Sequence, residues 1–272
     1  MAIEPINFVV FLMGPTASGK TELAIEISKH INSKLISVDS ALIYRGMDIG
    51  TAKPSKEILT AYPHELVDIC EPEDSFSVTE FISLAKKHIK SALAEGKLPI
   101  LVGGTSFYFN ALEHGLSELP SSTDESRKHF NDLLKSEGSV KLHSKLTEID
   151  PKSAARIHSN DSQRVTRALE VFHLSGETLS KLQGKKNQNK LDLNIKKIVL
   201  MPDRAVLHQR IEQRFIKMIK DGFLNEVENL RKNKKLNLDL ASMRSVGYRQ
   251  AWNYFEGNYS KQEMIEKAII AT

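Results

Sequence analysis

The chain has 272 residues, 40% hydrophobic and 26% charged, which is enough for a sizeable core and excludes a disordered or fibrous composition. Its single cysteine, Cys70, excludes an intrachain disulfide and fits a reducing cytoplasm, and the apolar run Phe8 to Met13 is too short for a membrane span or signal peptide. The net charge of +4 is uneven: residues 1–119 hold 10 basic against 15 acidic side chains, and residues 120–272 hold 28 against 19, an imbalance that suits either solvated helix faces or an anionic partner such as RNA.

Phe8 to Met13 is wholly apolar and ends in glycine, as a buried parallel strand does. Thr21 to Ile31 follows as an amphipathic helix with Leu23, Ala24, Ile27 and Ile31 on one face. Leu35 to Asp39 and Leu66 to Ile69 are expected as the second and third strands. Phe76 to Glu95 reads as a helix closed by Gly96, and Leu98 to Val102 as a further buried strand before Gly103-Gly104. Alternating strands and helices imply a parallel sheet with right-handed crossovers. From Leu116 to about Leu193 the periodicity is helical, bounded by Leu119-Pro120-Ser-Ser-Thr and by the polar run Gly184 to Lys190. Ile195 to Met201 returns as a strand, followed by a helix from an Asp203 N-cap to about Lys220. The reading is an α/β, P-loop NTPase-like parallel sheet flanked by helices, with residues 1–114 and 195–272 as its core domain and 115–194 as an inserted all-helical domain.

Gly14-Pro15-Thr16-Ala17-Ser18-Gly19-Lys20-Thr21 has the spacing of a phosphate-binding loop between strand and helix. Its glycines let consecutive N–H groups face phosphate oxygens, and the helix adds its positive end. Lys20 supplies a point charge and Thr21 a hydroxyl ligand for Mg2+. A nucleotide- or ATP-binding kinase, an ATPase and a diphosphate-releasing transferase would all use such a loop. Asp39 ends the second strand, where ligands of parallel sheets gather; it is a general base or metal partner, or a turn residue. Arg210 and Arg214 share one helix face, while Leu207, Ile211 and Met218 form a separate apolar stripe.

The string Asp39-Ser-Ala-Leu-Ile-Tyr-Arg-Gly-Met-Asp-Ile-Gly-Thr-Ala-Lys-Pro54 resembles the signature of tRNA dimethylallyltransferases (tRNA isopentenyltransferases). The resemblance continues at Pro63-His64, Leu101 to Tyr108, Asp150-Pro151, Ala154 to His158, Asn160 to Glu170, His208 to Phe215 and Arg244 to Gln250. It implies transfer of a dimethylallyl group from dimethylallyl diphosphate to the exocyclic 6-amino group of the adenosine 3′-adjacent to the anticodon, releasing diphosphate. The implied enzyme is a cytoplasmic monomer with Mg2+, a tRNA anticodon stem-loop as partner, and no membrane or obligate protein partner.

By the same resemblance Gly14 to Thr21 holds the diphosphate, Thr21 the metal, and Asp39, Thr105 and Arg214 are catalytic. Asp39 is expected on the strand beside the phosphate loop, accepting the amine's proton. The tRNA contacts implied are Asp39, Ser40, Ala41, Leu42, Thr105, Arg127, Gln163, Arg164, Val165, Thr166, Arg167, Arg244, Ser245, Val246, Gly247, Tyr248 and Arg249. Arg164, Arg167 and Glu170 also have the spacing of a salt-bridged solvent face. Tyr44 and Tyr108 could stack on substrate or pack in the core. Ser106 replaces an apolar residue common in the family, and a basic Arg-Gln-rich helix is expected after Thr272 as part of the tRNA grip. A small-molecule kinase and a regulatory RNA-binding P-loop protein are the competing readings.

Overall fold

The computed structural model describes residues 6–183 and 190–272. The chain forms two compact units, one of residues 1–113 and 191–272 and one of residues 114–190. The polar run from Gly184 to Asn189, and residues 1–5, lie outside the described residues.

The larger unit is built on a sheet of β1 (Phe8–Met13), β2 (Ser33–Val38), β3 (His64–Glu65), β4 (Leu98–Gly103) and β5 (Asn194–Val199), in the order β3-β2-β4-β1-β5. All neighbours are parallel. The apolar runs form β1, β2 and β4 because helices cover both faces, so successive side chains on either side find a core. On one face Val10, Leu12, Leu35, Ile100 and Val102 pack with Ala24 of α1 (Lys20–His30). On the other, Phe11, Ile36 and Leu101 are fully buried, and Phe11 meets Phe109 of α4 (Ser106–His114) at 5.0 Å between ring centroids. Each such side chain contributes roughly 1.5–3 kcal/mol.

Between β2 and β4 run α2 (Lys56–Ala61) and α3 (Val78–Ala94). Ser77 and Glu80 form a capping box that satisfies the first donors of α3. The smaller unit holds α5 (Asp124–Ile149), broken at Gly138, then α6 (Pro151–Ala154), α7 (Ser162–Ser175) and α8 (Leu179–Gln183). Its core joins Phe130, Leu142, Leu146, Val165, Leu169 and Val171. After β5 come α9 (Arg204–Lys220), α10 (Phe223–Arg231), α11 (Tyr248–Phe255) and α12 (Lys261–Ala271). They close a second core with Ile43, Tyr44 and Met47, centred on Phe223, Tyr248 and Trp252. No helix of the described residues is long and apolar enough to cross a membrane.

Four local expectations need correction. The third strand is His64–Glu65, not Leu66 to Ile69, because Leu66 and Asp68 take left-handed backbone, with φ of 66° and 54°. Ile31 terminates α1 in an extended conformation and is 46% exposed, so it leaves the apolar face. Asp203 precedes α9, but its side chain makes no cap hydrogen bond. The last strand ends at Val199, and Met201 is 75% exposed beyond it.

Candidate active site

The phosphate loop begins flush against the end of β5. A Cβ on Gly14 would lie 2.7 Å from the Leu200 carbonyl oxygen and 2.7 Å from Ser18 Oγ. Ala17 and Gly19, with φ of 63° and 88°, flank Ser18 and turn the loop into α1. Gly19 caps α1 with no side chain, so the first-turn amides have no protein capping group. The buried Ser18 hydroxyl likewise lacks a partner. Thr21 makes no side-chain hydrogen bond among the described residues. Lys20 Nζ folds back to donate to the Pro15 carbonyl at 2.8 Å. Burial holds this ammonium below its ordinary pKa; Asp39 opposes the shift and Arg214 adds to it.

Asp39 follows the last residue of β2. Its Oδ1 accepts from the Ala41 and Leu42 N–H groups at 2.8 and 3.3 Å, an Asx turn that leaves Oδ2 without a hydrogen bond among the described residues. The turn role and a chemically available oxygen therefore coexist on one carboxylate. Contrary to expectation, β2 is not beside β1, because β4 lies between them. The intervening strand ends in Gly103-Gly104. A Cβ on Gly103 would sit 2.0 Å from the Val38 oxygen, and one on Gly104 would sit 3.3 Å from the Gly14 oxygen and 3.8 Å from Lys20 Nζ. Two residues without side chains keep open the span between the carboxylate and the loop.

Thr105 follows directly. Its N–H donates to the Val38 carbonyl at 3.2 Å, and its Oγ1 accepts from the Ser40 N–H at 3.1 Å. The hydroxyl proton is thus free to donate. Ser40 is exposed, and Ala41 and Leu42 are half-buried. Tyr44 and Tyr108 are packing residues: Tyr44 is 2% exposed, and Tyr108 stacks on Phe81 at 4.3 Å. Burial pushes both phenols up to about 12, with Asp39 adding to the effect on Tyr108.

Arg214 reaches this region from α9, drawn in beside buried Ile211 and Phe215, while Arg210 points to solvent. Its Nη2 donates to the Thr51 carbonyl at 3.3 Å, and its Nε is buried with no partner. Burial lowers its pKa, and Asp39 is the leading opposing charge. Asp39 thus lies within electrostatic reach of two desolvated cations, one at the loop and one on the helix, a charge arrangement that suits a multiply charged anion beside a carboxylate. The Asp48 to Lys53 segment is held from inside: Lys53, 3% exposed, donates to the Tyr44 carbonyl, Asp48 and Asp68 at 2.8, 2.7 and 2.5 Å. Nothing in the amino-acid pattern gives Lys53 a role beyond membership of a conspicuous string.

Residues 42–272 match the family model described as IPP transferase. The chain belongs to the IPP transferase family. It is 61% identical over 272 residues to the tRNA dimethylallyltransferase of Ruthia magnifica subsp. Calyptogena magnifica, covering 100% of this chain and 89% of that protein. It is 50% identical over 273 residues to the enzyme of the same name from Methylococcus capsulatus, covering 100% and 88%. Among solved structures, the tRNA isopentenylpyrophosphate transferase of Bacillus halodurans is similar with a TM-score of 0.69 at 37% identity, covering 98% of this chain and 83% of that one. A eukaryotic dimethylallyltransferase acting on tRNA shares the fold, with a TM-score of 0.77 at 23% identity and coverage of 98% and 67%.

The RNA-contact residues implied for this IPP transferase family member divide by exposure. On α7, Gln163 and Arg164 are exposed, and Arg164 pairs with Asp161 at 3.4 Å. Val165 is fully buried in the core of the smaller unit, which removes its side chain from any RNA surface. Thr166 Oγ1 turns back to the Ser162 carbonyl at 2.7 Å. Arg167 donates to Ser122, Glu170 and the Pro120 carbonyl, so it is a clamp inside its unit rather than a free guanidinium. The salt-bridged reading holds for Arg167 with Glu170, although Glu170 is buried rather than solvated. Burial pushes the Glu170 carboxyl up, but hydrogen bonds from Ser126, Ser122 and Arg167 outweigh it and leave it below the usual carboxylate range. Arg127 is exposed and pairs with Asp124 at 3.3 Å.

In the second stretch Arg244, Val246 and Arg249 are exposed and Ser245 is half-buried. Neither guanidinium has a side-chain partner among the described residues. Gly247 and Tyr248 are buried: the Gly247 N–H donates to Gln250, and the Tyr248 hydroxyl donates to Glu226 at 2.5 Å. Both belong to the core of the larger unit, which corrects their place among the RNA contacts.

Proposed function

We propose that the chain transfers a dimethylallyl group from dimethylallyl diphosphate to the exocyclic 6-amino group of the adenosine 3′-adjacent to the anticodon of tRNA. The observation that carries this reading is the set Asp39, Lys20 and Arg214 around an uncapped phosphate loop, joined across the Gly103-Gly104 gap. The loop amides, Lys20 and Arg214 hold the diphosphate. As the prenyl C–O bond breaks, its electron pair goes to the leaving oxygen, where these cations and the Thr105 hydroxyl stabilise it. The amine nitrogen forms the new C–N bond, and its proton passes to Asp39 Oδ2.

The Thr21 hydroxyl is a hard oxygen donor without a protein partner, which suits Mg2+. No group of three or more His, Cys, Asp or Glu side chains among the described residues could hold a metal. Thr21 would serve as the ion's protein ligand, and the ion would supply neutralisation of charge on the leaving group. The target base has to leave its stack to reach this pocket. Arg244, Arg249, Arg164, Gln163 and Arg127 supply exposed cationic and polar contacts for the RNA backbone, which makes binding salt-sensitive.

The test is incubation of the intact enzyme with labelled dimethylallyl diphosphate, Mg2+ and an anticodon stem-loop, followed by mass spectrometry of the nucleosides. Prenylated adenosine is expected, and is expected to vanish in Asp39→Ala. Absence of prenylated adenosine with the parent enzyme would reject the function.

A further inference from the structure

Glu226 lies on α10, outside the pocket just described, yet its carboxylate is committed to the backbone that holds Arg214. Oε2 accepts from the N–H groups of Asp48 and Ile49 at 2.9 and 2.7 Å. Oε1 accepts from the Gly50 N–H at 3.1 Å and from the Tyr248 hydroxyl at 2.5 Å. Three successive amides aimed at one anion form the concavity that elsewhere binds phosphate, here filled by the protein's own side chain. The next residue, Thr51, presents its carbonyl to Arg214 Nη2.

The loop has little freedom to move. A Cβ on Gly50 would lie 2.2 Å from Phe223 and 2.6 Å from Tyr248, so two rings close directly on its backbone. The Thr51 hydroxyl bonds back to the Met47 carbonyl at 2.7 Å, tying the turn to itself. Arg214 makes no other hydrogen bond among the described residues, so the position of this carbonyl decides where its remaining donors point.

We infer that Glu226 is a positioning residue for Arg214: by gathering the Asp48–Gly50 amides it sets the Thr51 carbonyl, and through it the direction of the guanidinium. The inference rests on the reading that Arg214 grips the diphosphate. Charge matters because a glutamine amide at 226 would turn an N–H2 group toward backbone donors.

The test is a double-mutant cycle of Glu226→Gln with Arg214→Ala, read by calorimetric binding of inorganic diphosphate, by kcat on the anticodon stem-loop and by thermal unfolding. Glu226→Gln is expected to weaken diphosphate binding about tenfold in the parent and less than about twofold without Arg214, as coupled sites do. Its effect on unfolding should be the same in both backgrounds. Equal binding losses in both backgrounds would overturn the inference. Should Glu226→Gln fail to fold, Tyr248→Phe removes one donor from the same carboxylate. It is expected to weaken binding about threefold, again only when Arg214 is present. Absence of prenyl transfer by the parent rejects the function itself, whereas an active parent with additive losses rejects the positioning alone.

Discussion

Gly103→Ala tests the geometry on which the site depends. Gly103 does not use left-handed backbone, so alanine meets no conformational penalty, and its cost is steric. The new methyl would sit 2.0 Å from the Val38 oxygen and 2.5 Å from its carbonyl carbon. Relief requires β2 and β4 to part by roughly 1 Å at the Val38–Gly103 pair, where carbon–oxygen contact becomes tolerable. That separation stretches the Thr105 N–H bond to Val38, now 3.2 Å, and forfeits about 1 kcal/mol. Overpacking adds about 1–3 kcal/mol. A total of about 2–4 kcal/mol lowers the melting temperature by roughly 4–16 °C for a unit of this size. Because Asp39 follows Val38, the displacement also moves the carboxylate proposed as proton acceptor, and a shift of that size costs about a hundredfold in turnover. Thermal unfolding and stem-loop prenylation are the assays. Gly96→Ala is the control: its φ is +65° with nothing within 4 Å, so it is expected to cost about 1 kcal/mol of strain and no activity. A Gly103→Ala protein that matches the parent in both melting and turnover would refute the assigned packing between the strands.

Asp39→Asn keeps the Oδ1 acceptor of the Asx turn, so it should unfold like the parent while kcat falls by about 10²–10⁴; a near-normal kcat would remove Asp39 as the proton acceptor. Arg167→Ala leaves the buried Glu170 carboxylate with serine partners alone and should destabilise the smaller unit by about 1–3 kcal/mol, measured by urea unfolding. Arg164→Ala, by contrast, should leave unfolding unchanged and reduce the salt slope of tRNA binding by about 1; the reverse pattern would exchange the two roles. Asp150 and Glu170 both titrate below their ordinary values of 3.8 and 4.5: burial opposes the shift in each, and hydrogen bonds to Ser153 and Ser180, or to Ser126, Ser122 and Arg167, prevail. Lowered folded-state values mean that their stabilisation is complete above the ordinary values and is lost as pH falls through the folded ones. Amide protection across residues 150–183, referred to the intrinsic exchange rate at each pH, should therefore fall as the pH drops below the ordinary values, and protection that stays flat would refute the assignment.

β1 and β4 were readable because they are buried on both faces and written in almost uninterrupted apolar residues, whereas β2 shows only the apolar Leu35, Ile36 and Val38 among Ser33, Lys34 and Ser37. The third strand was not, since two polar residues, His64 and Glu65, do the pairing while the apolar Leu66 turns away with positive φ. The phosphate loop, Asp39 and Thr105 occupy strand ends, where spacing alone indicates position. Strand order is a different matter: pairing across β4 leaves no local trace, so Asp39 was expected one strand too close. The Arg244–Arg249 string mixes exposed guanidiniums with a core tyrosine, because it crosses from turn into helix, and α11 begins at Tyr248. Glu226 carries no signal at all, since its partners are amides 176 to 178 residues away in sequence.

The chain leaves the larger unit after Glu113 and returns at Leu191, and beside that exit the Leu191 N–H donates to the Leu112 carbonyl at 2.8 Å. Departure and return are thus stapled at one point. The entropy of closing the excursion is borne at that neck, and it grows only as about the logarithm of the excursion's length. Lengthening, shortening or replacing residues 114–190 should therefore leave the register of β5 on β1 untouched, and the smaller unit could be varied without rebuilding the sheet that carries the Gly14 to Thr21 loop.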